Sequence, residues 1–237
     1  MRTIEVFADV TCPFTHVGLR RMVAARQAQG RDDVVLRVRS WPLEVVNGAP
    51  LDAAFVAEEV DDIRAQVAPD LFVGFNSERF PSSAMTAMAL AAAADRVDPI
   101  TGERVSLALR TMLFEEGVDI SDESVLRSVA AEHGVDWSDV DPARVLADHA
   151  EGIERHVTGS PHFFTPGGDF FCPGLAISRG DDGHLHVEPK AEVFEAEFGD
   201  GSKLGLEIEY VVEEEARGTG GGIANVAPKL RHPTAMV

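Results

Sequence analysis

The chain has 237 residues, 45% of them hydrophobic, which suffices for one large packed domain or a core domain carrying a second unit. A formal net charge of −19 at pH 7 argues against nucleic acid or an anionic membrane surface as partner and leaves small molecules or proteins. Two cysteines make neither a disulfide framework nor a cysteine-rich zinc centre, so any cysteine chemistry is catalytic or incidental.

Met1-Arg2-Thr3-Ile4-Glu5 leads into an acidic strand instead of a basic region with a long apolar core, so the expected location is cytoplasmic. No apolar run reaches membrane-spanning length: Ala84 to Ala94 is short and ends at Asp95 and Arg96. Ile4, Val6 and Ala8 alternate with Glu5 and Phe7, which predicts a buried first strand. A helix starts at Pro13, whose missing N–H costs nothing in a first turn, and its apolar stripe of Val17, Leu19, Met22 and Val23 runs to Gly30. A second strand spans Val34 to Trp41 before Pro42 and Asn47-Gly48 break the pattern.

Between Leu51 and about Val157 the period is helical, with segments Phe55–Val67, Ala84–Val97, Arg104–Glu116, Glu123–His133 and Pro142–His156. Asp141-Pro142 is a start signal that combines a capping acceptor with a pre-set backbone angle. Strands return at His162–Thr165 and Leu175–Ser178, with turns at Pro166-Gly167-Gly168 and Asp181-Asp182-Gly183. The reading is one discontinuous α/β domain, residues 1–50 and 158–198, interrupted by a helical insertion, residues 51–157. A short helix from Ala191 to Phe198 closes it. Residues 199–237 then hold an extra strand, in which Leu204, Leu206, Ile208, Tyr210 and Val212 alternate with other residues, and a tail. That strand pairs either with its own sheet edge or with a second copy, giving a homodimer. Gly218 to Gly222 lack the preceding strand and following helix of a phosphate loop and read as a flexible turn.

Cys12 sits in Asp9-Val10-Thr11-Cys12-Pro13-Phe14-Thr15-His16, between the first strand and the first helix. Unpaired N–H groups and the positive end of the helix dipole favour an anion there, so the thiol is expected to ionise below the usual value of about 8.5. The plainer alternative is an inert core cysteine. Thr15 can donate a hydrogen bond to the sulfur. His16 and His162 are candidates to ionise Cys12 or protonate a leaving group, with packing or solvent as the plainer roles. His184 and His186 share a strand face without a third ligand nearby, so no metal is expected. Glu58-Glu59-Val60-Asp61-Asp62 reads as a solvated helix face.

Thiol at a strand-to-helix junction, helical insertion, then Gly159-Ser160-Pro161 before a strand: in this order the chain resembles the DsbA-like branch of the thioredoxin superfamily over roughly residues 3 to 198. The resemblance implies a thioredoxin-like α/β fold with a large helical insertion and a cis Ser160-Pro161 peptide facing Cys12. It makes Pro13, Phe14, Ser160, Pro161 and His162 the residues that bind substrate or thiol, and places Ser82 and Ser83 beside a substrate cleft. It also brings Cys172 toward the thiol as a candidate resolving cysteine, provided the alpha carbons lie within about 7 Å. The family's second cysteine is replaced by Thr15, so the site is a monothiol. The implied activity is a thiol-dependent oxidoreductase with Cys12 as nucleophile and a low-molecular-weight thiol as cosubstrate, without a tightly bound cofactor. The alternatives are a transferase or isomerase resembling the kappa glutathione transferases and 2-hydroxychromene-2-carboxylate isomerases, which carry a serine where Cys12 stands, or a non-catalytic binding module.

Overall fold

The computed structural model describes residues 1–28, 30–180 and 183–189. The helix, strand, glycine run and tail expected from Ala191 onward lie outside the described residues, as does the dimer expectation that rests on them. Strand β1 (Arg2–Ala8), helix α1 (Pro13–Ala28) and strand β2 (Val34–Ser40) form the opening unit, with β1 and β2 parallel and Val6 opposite Val38. A single turn, α2 (Leu43–Val46), leads to helices α3 (Ala53–Gln66), α4 (Met85–Val97), α5 (Pro99–Phe114), α6 (Glu123–Glu132) and α7 (Pro142–Glu154). The chain then returns as β3 (His162–Thr165) and β4 (Gly168–Phe171) to complete a sheet ordered β2-β1-β3-β4. Strands β5 (Leu175–Arg179) and β6 (Leu185–Pro189) make a separate antiparallel hairpin.

The period of two in β1 sends alternate residues to opposite faces of the sheet. Val6 and Ala8 pack with Leu19 of α1, Leu36 of β2, Phe163 of β3 and Leu107 of α5, while Phe7 packs on the other face with Trp41 and Val157. A third, larger cluster fills the helical segment with Val56, Leu90, Leu109 and Phe114, and continues without interruption to Val10, Val17 and Cys172.

Strand β2 is an edge, and the insertion covers it with carboxylates that serve its outward N–H groups. Glu103 of α5 accepts from Leu36 N at 2.6 Å and holds the Arg26 fork, and Asp148 of α7 accepts from Ser40 N at 3.0 Å and from Arg39. The hairpin is held to α3 in the same manner. The Gln66 amide gives a hydrogen bond to Leu185 O and takes one from Val187 N, and Asp62 accepts from Leu185 N. The acidic run of α3 is therefore only partly a solvated face. Glu59 is buried beside Arg179, 3.6 Å away, and burial pushes its carboxyl up to about 7. The pattern fails there because the hairpin that covers this face lies more than a hundred residues away in sequence.

Two further elements differ from expectation. Helix α5 starts at Pro99 rather than Arg104, because Asp98-Pro99 repeats the start signal of Asp141-Pro142: the Asp98 carboxylate accepts from Ile100 N and Thr101 N. Strand β4 has little strand character of its own in Gly168-Asp169-Phe170-Phe171 and forms by pairing with β3.

Gly102 lets α5 approach α4, since a Cβ there would lie 2.7 Å from Asp95 Cα. Alanine gains about 1 kcal/mol in a helix interior, whereas overpacking against backbone costs about 1–3 kcal/mol. Gly102→Ala is therefore expected to lower the urea midpoint, and a midpoint at or above that of the parent would show that the two helices separate freely.

Candidate active site

The turn after β1 brings Asp9, Thr11 and Cys12 to the end of the sheet where β3 begins. Asp9 orders the turn: one carboxylate oxygen accepts from Thr11 N at 2.7 Å and Thr11 Oγ1 at 2.6 Å, and the other accepts from Leu43 N at 2.6 Å. Its carboxyl is buried, and burial pushes it upward against the pull of these donors. The Ser160–Pro161 peptide is cis. Ser160 meets the turn at three points: its hydroxyl accepts from Asp9 N at 2.9 Å and shares a 2.8 Å hydrogen bond with Thr15 Oγ1, and its carbonyl accepts from the Cys12 thiol at 3.2 Å. Cys12, Thr15, Ser160 and Pro161 are thus brought together, all of them buried.

The thiol itself departs from expectation. Cys12 is only 3% exposed, and burial pushes its pKa above the ordinary value, with Thr15 and Ser160 opposing the shift through hydrogen bonds. Desolvation of the thiolate outweighs the helix N-terminus here, because the dipole acts at about 0.3–1 kcal/mol while removal of water from a charge costs several.

His16 is carried away from the thiol chemistry. Its backbone N–H bonds Cys12 O, but its imidazole lies between Phe72 and Phe114 with Nε2 on Glu115 Oε1 at 2.6 Å. Burial pushes His16 down, so it is neutral at pH 7 and donates from Nε2. Phe72 has φ 63, which aims two consecutive N–H groups, those of Phe72 and Val73, at the same Glu115 carboxylate. Burial opposes ionisation of Glu115, yet the bonds from His16, Phe72 and Val73 win and hold it at about 2. His162, buried in β3, accepts from Thr158 N through Nδ1, stacks on Phe164 and turns Nε2 toward Asp169, 3.5 Å away; burial lowers its pKa.

Cys172 follows β4 with φ 43, and its N–H donates to Pro161 O at 2.9 Å, so it lies on the opposite side of β3 from the β1 turn; no disulfide joins it to Cys12. Phe14 packs against the large core cluster. A small cleft beside the site is lined by Asp9, Thr11, Glu44, Leu51, Phe80 and Pro81. Ser83 contributes by bonding Glu44, and Ser82 bonds Ser121. Among the described residues no group of three or more His, Cys, Asp or Glu side chains could hold a metal, and no helix is long and apolar enough to cross a membrane.

Sequence reasoning missed Asp9 and Arg110. Arg110 of α5 is 2% exposed, and its Nη2 donates to Asp9 O at 3.0 Å. The available signal was an arginine on the buried stripe of α5, four residues after Ser106 and flanked by Leu109 and Leu113.

Residues 3–177 match the family described as DSBA-like thioredoxin domain. Among solved structures the chain is similar to the cytosolic disulfide reductase DsbM from Pseudomonas aeruginosa, also solved with GSH, at 15% identity and TM-score 0.51, covering 85% of this chain and 99% of that one. It is similar to a putative protein disulfide isomerase from Nitrosomonas europaea at 13% identity and TM-score 0.56, covering 85% and 98%. It is also similar to a 2-hydroxychromene-2-carboxylate isomerase at 15% identity and TM-score 0.50, covering 71% and 88%. These likenesses establish the fold. A 53-residue stretch is 77% identical to a mannose-1-phosphate guanylyltransferase of Mycobacterium tuberculosis; it makes up 22% of this chain and spans 15% of that protein's length.

The Glu115 contacts predict a pH signature. A carboxyl held at about 2 against an ordinary 4.5 contributes stability that is fully present above pH 4.5 and is lost as pH falls toward 2. Glu115→Gln is expected to cost about 1.5–3 kcal/mol at pH 7, the range for hydrogen bonds to a charged group. Urea titrations at several pH values should show the gap between parent and variant closing across that window; a gap independent of pH would refute the assignment.

Proposed function

The chain belongs to the DSBA-like thioredoxin domain family, and from this we propose that it is a thiol-dependent oxidoreductase with a monothiol Cys12-Pro13-Phe14-Thr15 site, resolved by a low-molecular-weight thiol. The observation that carries the reading is the placement of the Cys12 sulfur against the Ser160 carbonyl, beside Pro161 and at the start of α1. The thiolate of Cys12 attacks one sulfur of a disulfide, forming a mixed disulfide as the second sulfur leaves as a thiolate and takes up a proton. A small thiolate then attacks the sulfur bonded to Cys12, forms a new disulfide with that group and expels Cys12 as its thiolate. Thr15 and Ser160 supply the hydrogen bonds that favour the ionised sulfur. Pro13, Phe14, Pro161 and the Ser160 backbone form the docking surface in this reading. His16 and His162 serve packing, given their partners.

An outside thiol is preferred to Cys172 for resolution, because Cys172 sits in the core on the far side of β3. The GSH complex of DsbM supports a small thiol as cosubstrate, and the cytosolic setting of that reductase supports a cytoplasmic one here. The likeness to a 2-hydroxychromene-2-carboxylate isomerase supports a second reading, in which the site activates a bound thiol cofactor for transfer or isomerisation. A thiol in place of that class's serine ranks it second.

Intact mass of the protein isolated without reductant should show a small-thiol adduct confined to Cys12, and Cys12→Ser should reduce turnover of a low-molecular-weight mixed disulfide to background. Turnover that survives Cys12→Ser would transfer the chemistry to a bound cofactor and favour the second reading. Thr15→Cys restores a local pair at the start of α1 and should close to an intramolecular disulfide in a glutathione redox buffer. Failure to close at any accessible poise would refute the assignment of residues 12 and 15 to the family's two cysteine positions.

A further inference from the structure

Arg110 is the one strongly ionised side chain in this region whose place the reaction scheme leaves unexplained. Its guanidinium is 2% exposed and holds only neutral acceptors: Nη1 donates to Ser106 O at 3.0 Å and to Ser106 Oγ at 2.6 Å, and Nη2 donates to Asp9 O at 3.0 Å. Nε is buried without a hydrogen-bond partner. Among the described residues no carboxylate stands within ion-pair distance of it, unlike Arg26 and Arg39, which hold theirs directly. A buried cation so placed costs several kcal/mol and contributes little to stability, and an apolar side chain would fill the same stripe of α5 at lower cost.

The position of the guanidinium gives that cost a use. The Asp9 carbonyl that receives Nη2 also accepts the Cys12 backbone N–H at 3.4 Å, so one peptide oxygen separates the cation from the residue that carries the thiol. The titratable groups facing this spot are Asp9 and Cys12 on the turn after β1, Arg110 on α5 and His16 on α1, with Glu115 behind His16 and Glu44 across the cleft. Asp9 spends its carboxylate on Thr11 and Leu43, and His16 is neutral.

We propose that Arg110 is a positioning residue whose buried charge offsets the thiolate of Cys12, so that the helical insertion sets the reactivity of a thiol on the thioredoxin-like unit. This rests on the reading of Cys12 as the nucleophile. Burial pushes the thiol up and the Asp9 charge adds to the rise, while hydrogen bonds from Thr15 and Ser160 oppose it; burial lowers Arg110 to about 10, with Asp9 and then Cys12 pulling it back. Because Arg110 also holds the Asp9 carbonyl, a shift of α5 along its axis would move the charge and the turn together.

The test follows alkylation of Cys12 by iodoacetamide against pH, read by peptide mass so that Cys172 is separated. Arg110→Gln should raise the apparent thiol pKa by about one unit, a roughly tenfold smaller thiolate fraction at pH 8, and Arg110→Lys should restore most of it. A folded Arg110→Gln protein with the parent titration would overturn the proposal. A second variant does not depend on Arg110→Gln folding: Arg110→Met removes the charge while filling the same apolar stripe of α5, and it should raise the apparent thiol pKa in the same way. A folded Arg110→Met protein with the parent titration would equally overturn the proposal. A parent thiol that resists alkylation throughout would instead sink the nucleophile reading.

Discussion

The structure depends on the joint that Ser160 makes with the turn after β1. Asp9 and Ser160 are 151 residues apart in the chain, and this one serine bonds a backbone N–H and a hydroxyl through its side chain and the thiol of Cys12 through its backbone carbonyl. Closing so long a loop costs only slightly more than closing a short one, since the entropy grows with the logarithm of length. What the joint must supply is geometry rather than a large free energy. Once β3 is seated against β1, the end of the sheet, the first turn of α1 and the segment before β3 have fixed mutual positions, and the Cys12 sulfur is fixed with them.

The insertion is not a passive lid on this joint. It reaches the α/β unit through buried or half-buried polar groups that meet backbone atoms or a buried ring: Glu103 and Asp148 on β2, Glu115 on the imidazole of α1, Arg110 on the Asp9 carbonyl. A helix packed on a sheet by apolar contacts alone can slide by a turn at modest cost, because one hydrophobic stripe resembles the next. Misplacing any of these four groups would strand a buried charge or an unpaired N–H, so they specify one register of insertion against sheet. The apolar cluster that runs from the helices to Val10 and Cys172 then supplies the area burial.

That arrangement also explains why a helix N-terminus fails to make Cys12 acidic. The first turn of α1 is sealed by β3, by α5 and by its own residues, and water is excluded from the sulfur. In such a place the pKa answers to discrete partners, the Thr15 and Ser160 hydroxyls, the Thr15 N–H and the Asp9 charge, which come from three separate segments of the chain.

The sequence by itself determined the opening strand, helix and strand, the helical block after them and the return to strands at His162, while β4 and the first turn of α5 came only with the structure. The former are legible because hydrophobic period, proline placement and capping residues act within a few positions of one another, and the Asp98-Pro99 start of α5 is a signal of the same local kind. Only the tertiary structure decided the fate of each polar side chain. His16 looks catalytic beside Cys12 in the chain, yet the helical turn carries its ring to Glu115; Glu59 looks solvated, yet a distant hairpin covers it; Arg110 shares a stripe with Leu109 and Leu113, yet only the fold sets it beneath the Asp9 carbonyl. Burial and pairing are sums over neighbours from all parts of the chain, and no local pattern contains them.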